Sequence, residues 1–438
     1  MEKTAYQAMN ERELRDCYAA VRGQYDILRS KHLSQDMSRG KPGQEQLDLS
    51  AGLLTVLSAP ADCVSDGIEV RNYGTLGGLP AAKRLFAEIL GCQPEEIFVG
   101  GSSSLNLMYD FVARAFTHGL LHSKQPWCRL EKVKWLCPVP GYDRHFRITE
   151  YFGCELITIP MHEDGPDMDK VEEYVNNDPA VKGIWCVPKY SNPLGVSYSD
   201  EVVRRFANLT PAAPDFRLYW DNAYSIHHLY DEEEEQDTVL EILEECRNAG
   251  HPDIVYKFIS TSKVTFPGSG LAALATSRKN LGDIKKYMTV QTIGHDKLNQ
   301  LRHVRFFGNI ANMREHMKLH AAIMRPKFEL VEAKLDRELG DLEIATWTKP
   351  RGGYFISFDS LDGCAKKIVA KAAEAGVRLT DAGATFPYGI DPRDRNIRIA
   401  PSFPTEKELR KATEVFVVSV KLVSVNKYLK EMASEETD

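Results

Sequence analysis

Cysteine is scarce and unpaired in this chain. Nine occur in 438 residues (Cys17, Cys63, Cys92, Cys128, Cys137, Cys154, Cys186, Cys246 and Cys364), and no CxxC pair appears. That excludes a zinc ribbon and a disulfide framework, and it predicts reduced thiols in a cytoplasmic setting. Positive charge is not in excess either: 55 Lys and Arg against 62 Asp and Glu leave a net charge of −7. Such a balance argues against a nucleic-acid or membrane-surface binder. Long apolar runs are missing. The most apolar late stretch, "VFVVSVKLVSV" at 415–425, contains Lys421 and is too short for a bilayer span. The polar start "MEKTAYQAMNERELRD" does not read as a secretory signal. Familiar site motifs are lacking as well. "GKPG" at 40–43 has no Lys-Ser/Thr to close a phosphate loop, and "YGTLGG" at 73–78 follows no strand. "HMKLH" carries His316 and His320 at zinc-pair spacing but without the glutamate of HExxH, so both are expected on a helix surface.

What remains is the profile of an ordinary enzyme, 43% hydrophobic and 27% charged. Residues 11–33 read as an amphipathic helix through Leu14, Tyr18, Val21, Tyr25 and Leu28. From about 70 to 300, short apolar runs alternate with helical stretches: "EEIFVGG", "VKWLCPVPGY", "CELITIP", "VKGIWCVPKYSNPLG", "FRLYWDNAY" and "DIVYKFISTSK". That rhythm predicts an α/β architecture, a large and mainly parallel sheet covered by helices on both faces. The acidic run 231–235 is expected to open a helix over "DTVLEILEECRNAG". Beyond about 325 the helix "KFELVEAKLDREL", "KPRGGYFISFD", a second helix at 364–376, "NIRIAPSF" and a C-terminal helix predict a smaller α+β domain. The expected division is 1–49 as a segment joining the small domain, 50–320 as the large domain and 321–438 as the small domain.

In a parallel sheet, ligands bind beyond the carboxyl ends of the strands. "GGSSS" sets Ser102, Ser103 and Ser104 at a helix start, which suits a phosphate and equally suits a plain serine cap. Tyr142 follows a Pro-Gly turn, and Asn192 precedes Pro193, a common turn opener. Asp221 and Tyr224 close a strongly apolar strand, where a carboxylate needs a partner to stay charged. Lys263 closes another, among Ser260, Thr261, Ser262 and Thr265 and with no acid beside it. A strand-end lysine is ordinarily a solvated surface residue. In a low-dielectric pocket it sheds its proton and attacks carbonyls. Cradle, ring, carboxylate, phenol and amine together are the inventory that pyridoxal 5′-phosphate needs.

The order of these pieces resembles the fold-type I pyridoxal-phosphate aminotransferases of class I/II across roughly residues 35 to 425. "NYGTLGG", "GGSSS", "PGY", "NPLG", "DNAY", "STSK", "PRGGYF" and "NIRIAPSF" carry the likeness. "SRGKP" and "PKYSNPLG" look most like the aspartate aminotransferase branch of type Ic. The resemblance implies Lys263 as the Schiff-base lysine, Asp221 as partner of the ring nitrogen, and Tyr224 and Asn192 on the ring hydroxyl. Tyr142 would stack on the ring. Ser102, Ser103, Ser104, Ser260 and Ser262 would serve the phosphate, with Tyr73 arriving from the other subunit of a homodimer. Arg398 would clamp the substrate α-carboxylate beneath the backbone of Gly40, and amino acids and 2-oxo acids would be the substrates. No metal is expected. The phosphate-binding arginine usual some eight residues after the lysine is missing, and Thr261, Ser262 and Ser269 are candidates to replace it. For a second substrate carboxylate the candidates are Arg39, Lys41, Arg144 and Lys189, with Arg39 first because its fork matches a carboxylate. Elimination at Cβ or Cγ by a lyase of the same fold is the alternative activity. A regulator's cofactor-sensing domain is the non-enzymatic one, disfavoured because only about forty residues precede the domain and none forms a basic recognition helix.

Overall fold

Side chains of the central strands point alternately to two apolar faces, and that alternation organises the chain. The computed structural model describes residues 5–435; residues 1–4 and 436–438 of the two terminal segments lie outside the described residues. Eight strands form the large sheet: β1 (Ile97–Val99), β2 (Lys134–Val139), β3 (Glu155–His162), β4 (Gly165–Pro166), β5 (Val181–Cys186), β6 (Arg217–Asp221), β7 (Val255–Ser260) and β8 (Ala272–Ala275). Their order is β1-β8-β7-β6-β5-β2-β3-β4. β8 runs against both of its neighbours and β4 runs against β3, while the other pairs are parallel. β8 is absent from the sequence reading because its alanines favour a helix as readily as a strand.

β5 and β6 are buried at every position. Leu136, Ile184, Leu218, Trp220 and Val255 fill one face. Trp135, Trp185, Tyr219, Tyr256 and Phe258 fill the other. The rings of that second face touch in series, Trp185 to Trp135 at 5.0 Å and Trp135 to Tyr219 at 4.9 Å between centroids.

The helices that matter below are α1 (Glu11–Arg29), α2 (Ser104–His118), α3 (Asp143–Tyr151), α4 (Ile242–Asn248), α5 (Ile310–Leu339) and α6 (Glu406–Glu435). α1, α5 and α6 pack with a three-stranded antiparallel sheet, β9 (Ala345–Trp347), β10 (Ile356–Ser360) and β11 (Asn396–Ile399), around Leu14, Tyr25, Phe328, Phe358 and Phe416. A short parallel pairing of Gln35–Asp36 with Val377–Arg378 ties the N-terminal segment into this second core. α5 is one helix across Pro326. It sets Met313 and Met317 in a small cluster beside the large sheet, and Phe328, Val331 and Leu335 in the second core.

Two local expectations give way. The acidic run forms only a short 3₁₀ turn, Glu233–Glu235, with no buried residue. α4 begins at Ile242, where the side chain of Glu241 accepts from the N–H groups of Leu243 and Glu244. Successive like charges oppose a helical turn, whereas one carboxylate at the cap satisfies free N–H donors. His316 and His320 are buried rather than exposed, at 8% and 2%. Their Nε2 atoms lie 3.1 Å apart, and Gln46 Nε2 lies 3.1 Å from His320 Nδ1. The face of α5 that bears them is covered by the segment around Gln46 and Ser50, a contact no helical period reveals. No cluster suited to a metal ion and no helix long and apolar enough to cross a membrane occurs among the described residues.

Candidate active site

A cleft of about 130 Å³ opens at the carboxyl ends of β5, β6 and β7 and is lined by Ser103, Ser104, Tyr142, Asn192, Asp221, Tyr224, Ser260, Ser262 and Lys263. Residues up to 160 positions apart in sequence are thereby brought together.

Asp221 is the last residue of β6 and is 4% exposed. Its Oδ2 lies 3.0 Å from His145 Nε2 on α3. Its Oδ1 is buried with no hydrogen-bond partner. His145 is 1% exposed and stacks on Trp185, with centroids 4.6 Å apart and planes 15° apart. The aromatic face of the sheet therefore orients the imidazole that orients the carboxylate.

Lys263 Nζ has no carboxylate within ion-pair distance among the described residues, and it lies 4.8 Å from the centre of the Tyr224 ring. Tyr354 Oη, 3.3 Å from the Lys263 carbonyl, pins the turn that carries the lysine. Burial pushes the Tyr142 phenol up to about 12, against an opposing pull from the charge of Lys263. Burial also raises the Tyr224 phenol. Both are neutral hydrogen-bonding groups at physiological pH.

At the start of α2, Ser103 is the cap residue, yet its side chain makes no capping bond. The hydroxyl and the first N–H groups of the helix are left free for an anion. Gly101 leads into this turn at φ +70°, a left-handed conformation that suits glycine. Ser260 Oγ lies 3.2 Å from Ser262 Oγ, and Ser262 Oγ lies 3.5 Å from the carbonyl of Ser102, whose own side chain is exposed beside the cleft. Of the three hydroxyls expected to stand in for an arginine, only Ser262 faces the cleft. Thr261 Oγ1 is buried 2.9 Å from His303 Nε2, and Ser269 Oγ lies 3.4 Å from Asn299 Oδ1.

Arg398 lies on β11 at 7% exposure. Its Nη1 donates to Asp143 Oδ1 at 2.9 Å and to Asn192 Oδ1 at 3.2 Å, and its guanidinium lies 4.8 Å from the centre of the Phe355 ring. A Cβ on Gly40 would stand 2.4 Å from that same ring, so the loop can lie over Phe355 only with glycine there. Arg39 is exposed next to it. Lys41 sits over Phe403 at 3.7 Å, and Arg144 is exposed on α3. Lys189 is elsewhere: it lines a second, larger cavity of about 750 Å³ and donates to the Ser225 carbonyl at 3.0 Å. Burial brings its pKa down to about 8. His228 lines that cavity too, whereas His227 is buried behind the Tyr224 turn. Tyr73 is 83% exposed, outside the cleft. His145, Asp143 and Phe355 were missed in the sequence. The one available signal for His145 was its place one turn after Tyr142.

The sequence profile of the aspartate amino-transferase family matches residues 9–432. The chain belongs to that family. An aspartate aminotransferase of Corynebacterium glutamicum is 44% identical over 408 residues, 93% of this chain and 94% of that protein. A solved aspartate transaminase structure from the same organism superposes with a TM-score of 0.94 at 42% identity, covering 97% of this chain and 99% of that one. A 2-aminoadipate transaminase of Thermus thermophilus is 25% identical over 339 residues, 73% of this chain and 74% of that protein. The protein is thus a transaminase of the fold-type I architecture, and the lyase and regulator alternatives fall away.

Family and fold imply pyridoxal phosphate, and the residues present fit it. The unpartnered Oδ1 of Asp221 is an acceptor in search of a ring N–H, and the unused Ser103 hydroxyl at a helix start is a donor in search of an anion. His145→Phe keeps a ring against Trp185 but leaves both oxygens of Asp221 unpaired. Stability of the cofactor-free protein should fall by about 1–3 kcal/mol. Denaturant unfolding checks this, and an unshifted midpoint would show that the His145 contact contributes nothing.

Proposed function

We propose that this transaminase moves the amino group of aspartate or glutamate to 2-oxoglutarate or oxaloacetate, acting as a cytoplasmic homodimer. The observation that carries the cofactor assignment is the buried, unpartnered Oδ1 of Asp221 at the end of β6. When bound, pyridoxal phosphate supplies an aldehyde that condenses with amines and a protonated ring that withdraws electrons from the bonds at Cα. Asp221 keeps the ring nitrogen protonated, with His145 fixing the carboxylate. Tyr224 and Asn192 would hold the ring hydroxyl, and the Tyr142 ring would stack on the heterocycle. Ser103, Ser104, Ser260 and Ser262 donate to the phosphate with the start of α2 behind them, and Ser102 supports the turn. Lys263 would be the amine that holds the aldehyde and, when free, the base positioned to take the proton from the substrate Cα. Arg398 binds the substrate α-carboxylate, with Asn192 and the Gly40 loop around it.

Support for a dicarboxylic donor comes from the relatives and from the loop bearing Arg39. The aspartate aminotransferase at 44% identity and the more remote 2-aminoadipate transaminase are both named for donors with two carboxyl groups. Arg39 sits between Ser38, whose carbonyl accepts from Thr380 Oγ1 at 2.6 Å, and Gly40, which lies on Phe355. Thr380 and Phe355 both contact Arg398. An exposed guanidinium on this loop is well placed for a second carboxylate.

Three outcomes are expected. Wild-type protein incubated with pyridoxal phosphate and then borohydride should carry one covalent label, lost in Lys263→Ala; equal labelling of the variant would remove Lys263 from the role. Sedimentation should give twice the mass of the chain, and Tyr73→Phe should weaken cofactor retention, because in this reading the exposed Tyr73 serves a partner's phosphate. A monomer that holds cofactor at full strength contradicts this. Finally, Arg39→Ala should lower kcat/KM for aspartate relative to alanine by roughly ten- to a hundredfold, the scale of losing one charged hydrogen bond at a binding surface. A constant ratio passes the role to Arg144 or Lys41.

A further inference from the structure

The guanidinium assigned above to the substrate carboxylate is already held by a carboxylate of the protein. Arg398 Nη1 donates to Asp143 Oδ1 at 2.9 Å, and the two side chains are 7% and 26% exposed. Much of the rest of Arg398 is engaged or buried. Nε is buried without a partner, Nη2 faces Thr380 Oγ1 at 3.3 Å, and Phe355 covers a flat face. Nη1 is the atom turned toward the cleft, since it also donates to Asn192, which lines it. An incoming carboxylate that reaches Arg398 past Asn192 meets the end of the fork where Asp143 sits.

Two carboxylates cannot share that nitrogen without strong repulsion in so buried a place. Leaving Arg398 with no anion at all is equally unfavourable, because a buried guanidinium stripped of its counter-charge is heavily penalised. Asp143 meets both conditions. It is the first residue of α3 and follows Tyr142, so its backbone is fixed beside the site while its side chain is partly exposed. Its other oxygen, Oδ2, already lies 4.0 Å from Arg144 Nε, and Arg144 is exposed.

We propose that Asp143 is a resident substitute for the substrate carboxylate: it pairs with Arg398 between turnovers and is displaced toward Arg144 when an amino or 2-oxo acid binds. The inference rests on the reading of Arg398 as the α-carboxylate site. Displacement lets the enzyme hold a charged, aimed arginine between turnovers. It also makes entry an exchange of one carboxylate for another, which an amine lacking a carboxylate cannot perform. Because ground and transition states displace Asp143 alike, its effect belongs to binding rather than to the chemical step.

The test uses the holoenzyme and succinate, an unreactive dicarboxylate, with calorimetry as readout, together with the kinetics of aspartate and 2-oxoglutarate. Asp143→Asn preserves shape and an acceptor for Arg398 but removes the competing charge. Succinate should bind about fivefold tighter or more, and kcat/KM for aspartate should rise through KM. Arg144→Gln, at an exposed position, should weaken succinate binding in the wild type and lose that effect in the Asp143→Asn background, a coupling readable as a double-mutant cycle. Weaker or unchanged succinate binding in Asp143→Asn overturns the proposal and makes Asp143 a fixed strut for Arg398. Zero coupling to Arg144 overturns the displacement. Arg398→Gln separates the two readings. If it leaves succinate binding intact, the assignment of Arg398 itself is wrong; if it weakens binding at least tenfold while Asp143→Asn brings no gain, only the displacement fails.

Discussion

A carboxylate buried at the end of a central strand is the constraint on which the site depends. Asp221 can remain there because His145 takes one oxygen at 3.0 Å, and His145 can do so because Trp185 holds its ring face to face. Trp185 is in turn fixed against Trp135 and Tyr219. One apolar face of the sheet thus serves as the rigid backing of a polar site. Close-packed rings have few alternative arrangements, so an oxygen left open at Asp221 stays where a ligand must find it.

The second half of the site is built on a different core. Arg398 projects from β11, and Phe355 immediately precedes β10, both strands of the small antiparallel sheet. The N-terminal loop reaches the same place through the pairing of Gln35–Asp36 with Val377–Arg378 and through Gly40 on Phe355. Asn192, from beyond β5, meets Arg398 directly. The groups assigned to the cofactor therefore stand on one sheet, and the group assigned to the substrate stands on another. Asn192 and Asp143 join them at Arg398, and Tyr354 joins them at the Lys263 turn.

Hydroxyl groups near a site are not interchangeable. Ser260 and Ser262 open onto the cleft, whereas Thr261, between them, points into the protein toward His303. The turn that follows β7 decides this: the Thr261 carbonyl accepts from the N–H groups of Val264 and Thr265, and its Oγ1 accepts from the N–H of Leu271, so that hydroxyl is spent on holding the turn.

Read alone, the sequence determined the layered α/β architecture, the strand ends that carry Tyr142, Asn192, Asp221 and Lys263, and the helix start at Ser103. All of these depend on local periodicity and on the rule that parallel strands present ligands at one end. It could not show that α5 buries His316 and His320, that Lys189 opens onto a separate cavity, or that β8 is a strand rather than a helix. It was equally silent on His145 behind Asp221 and on Asp143 against Arg398, 255 residues away in the chain. Those are contacts between elements, set by which face of one lies on which face of another. Local spacing carries no record of that choice; only the packed tertiary structure makes it.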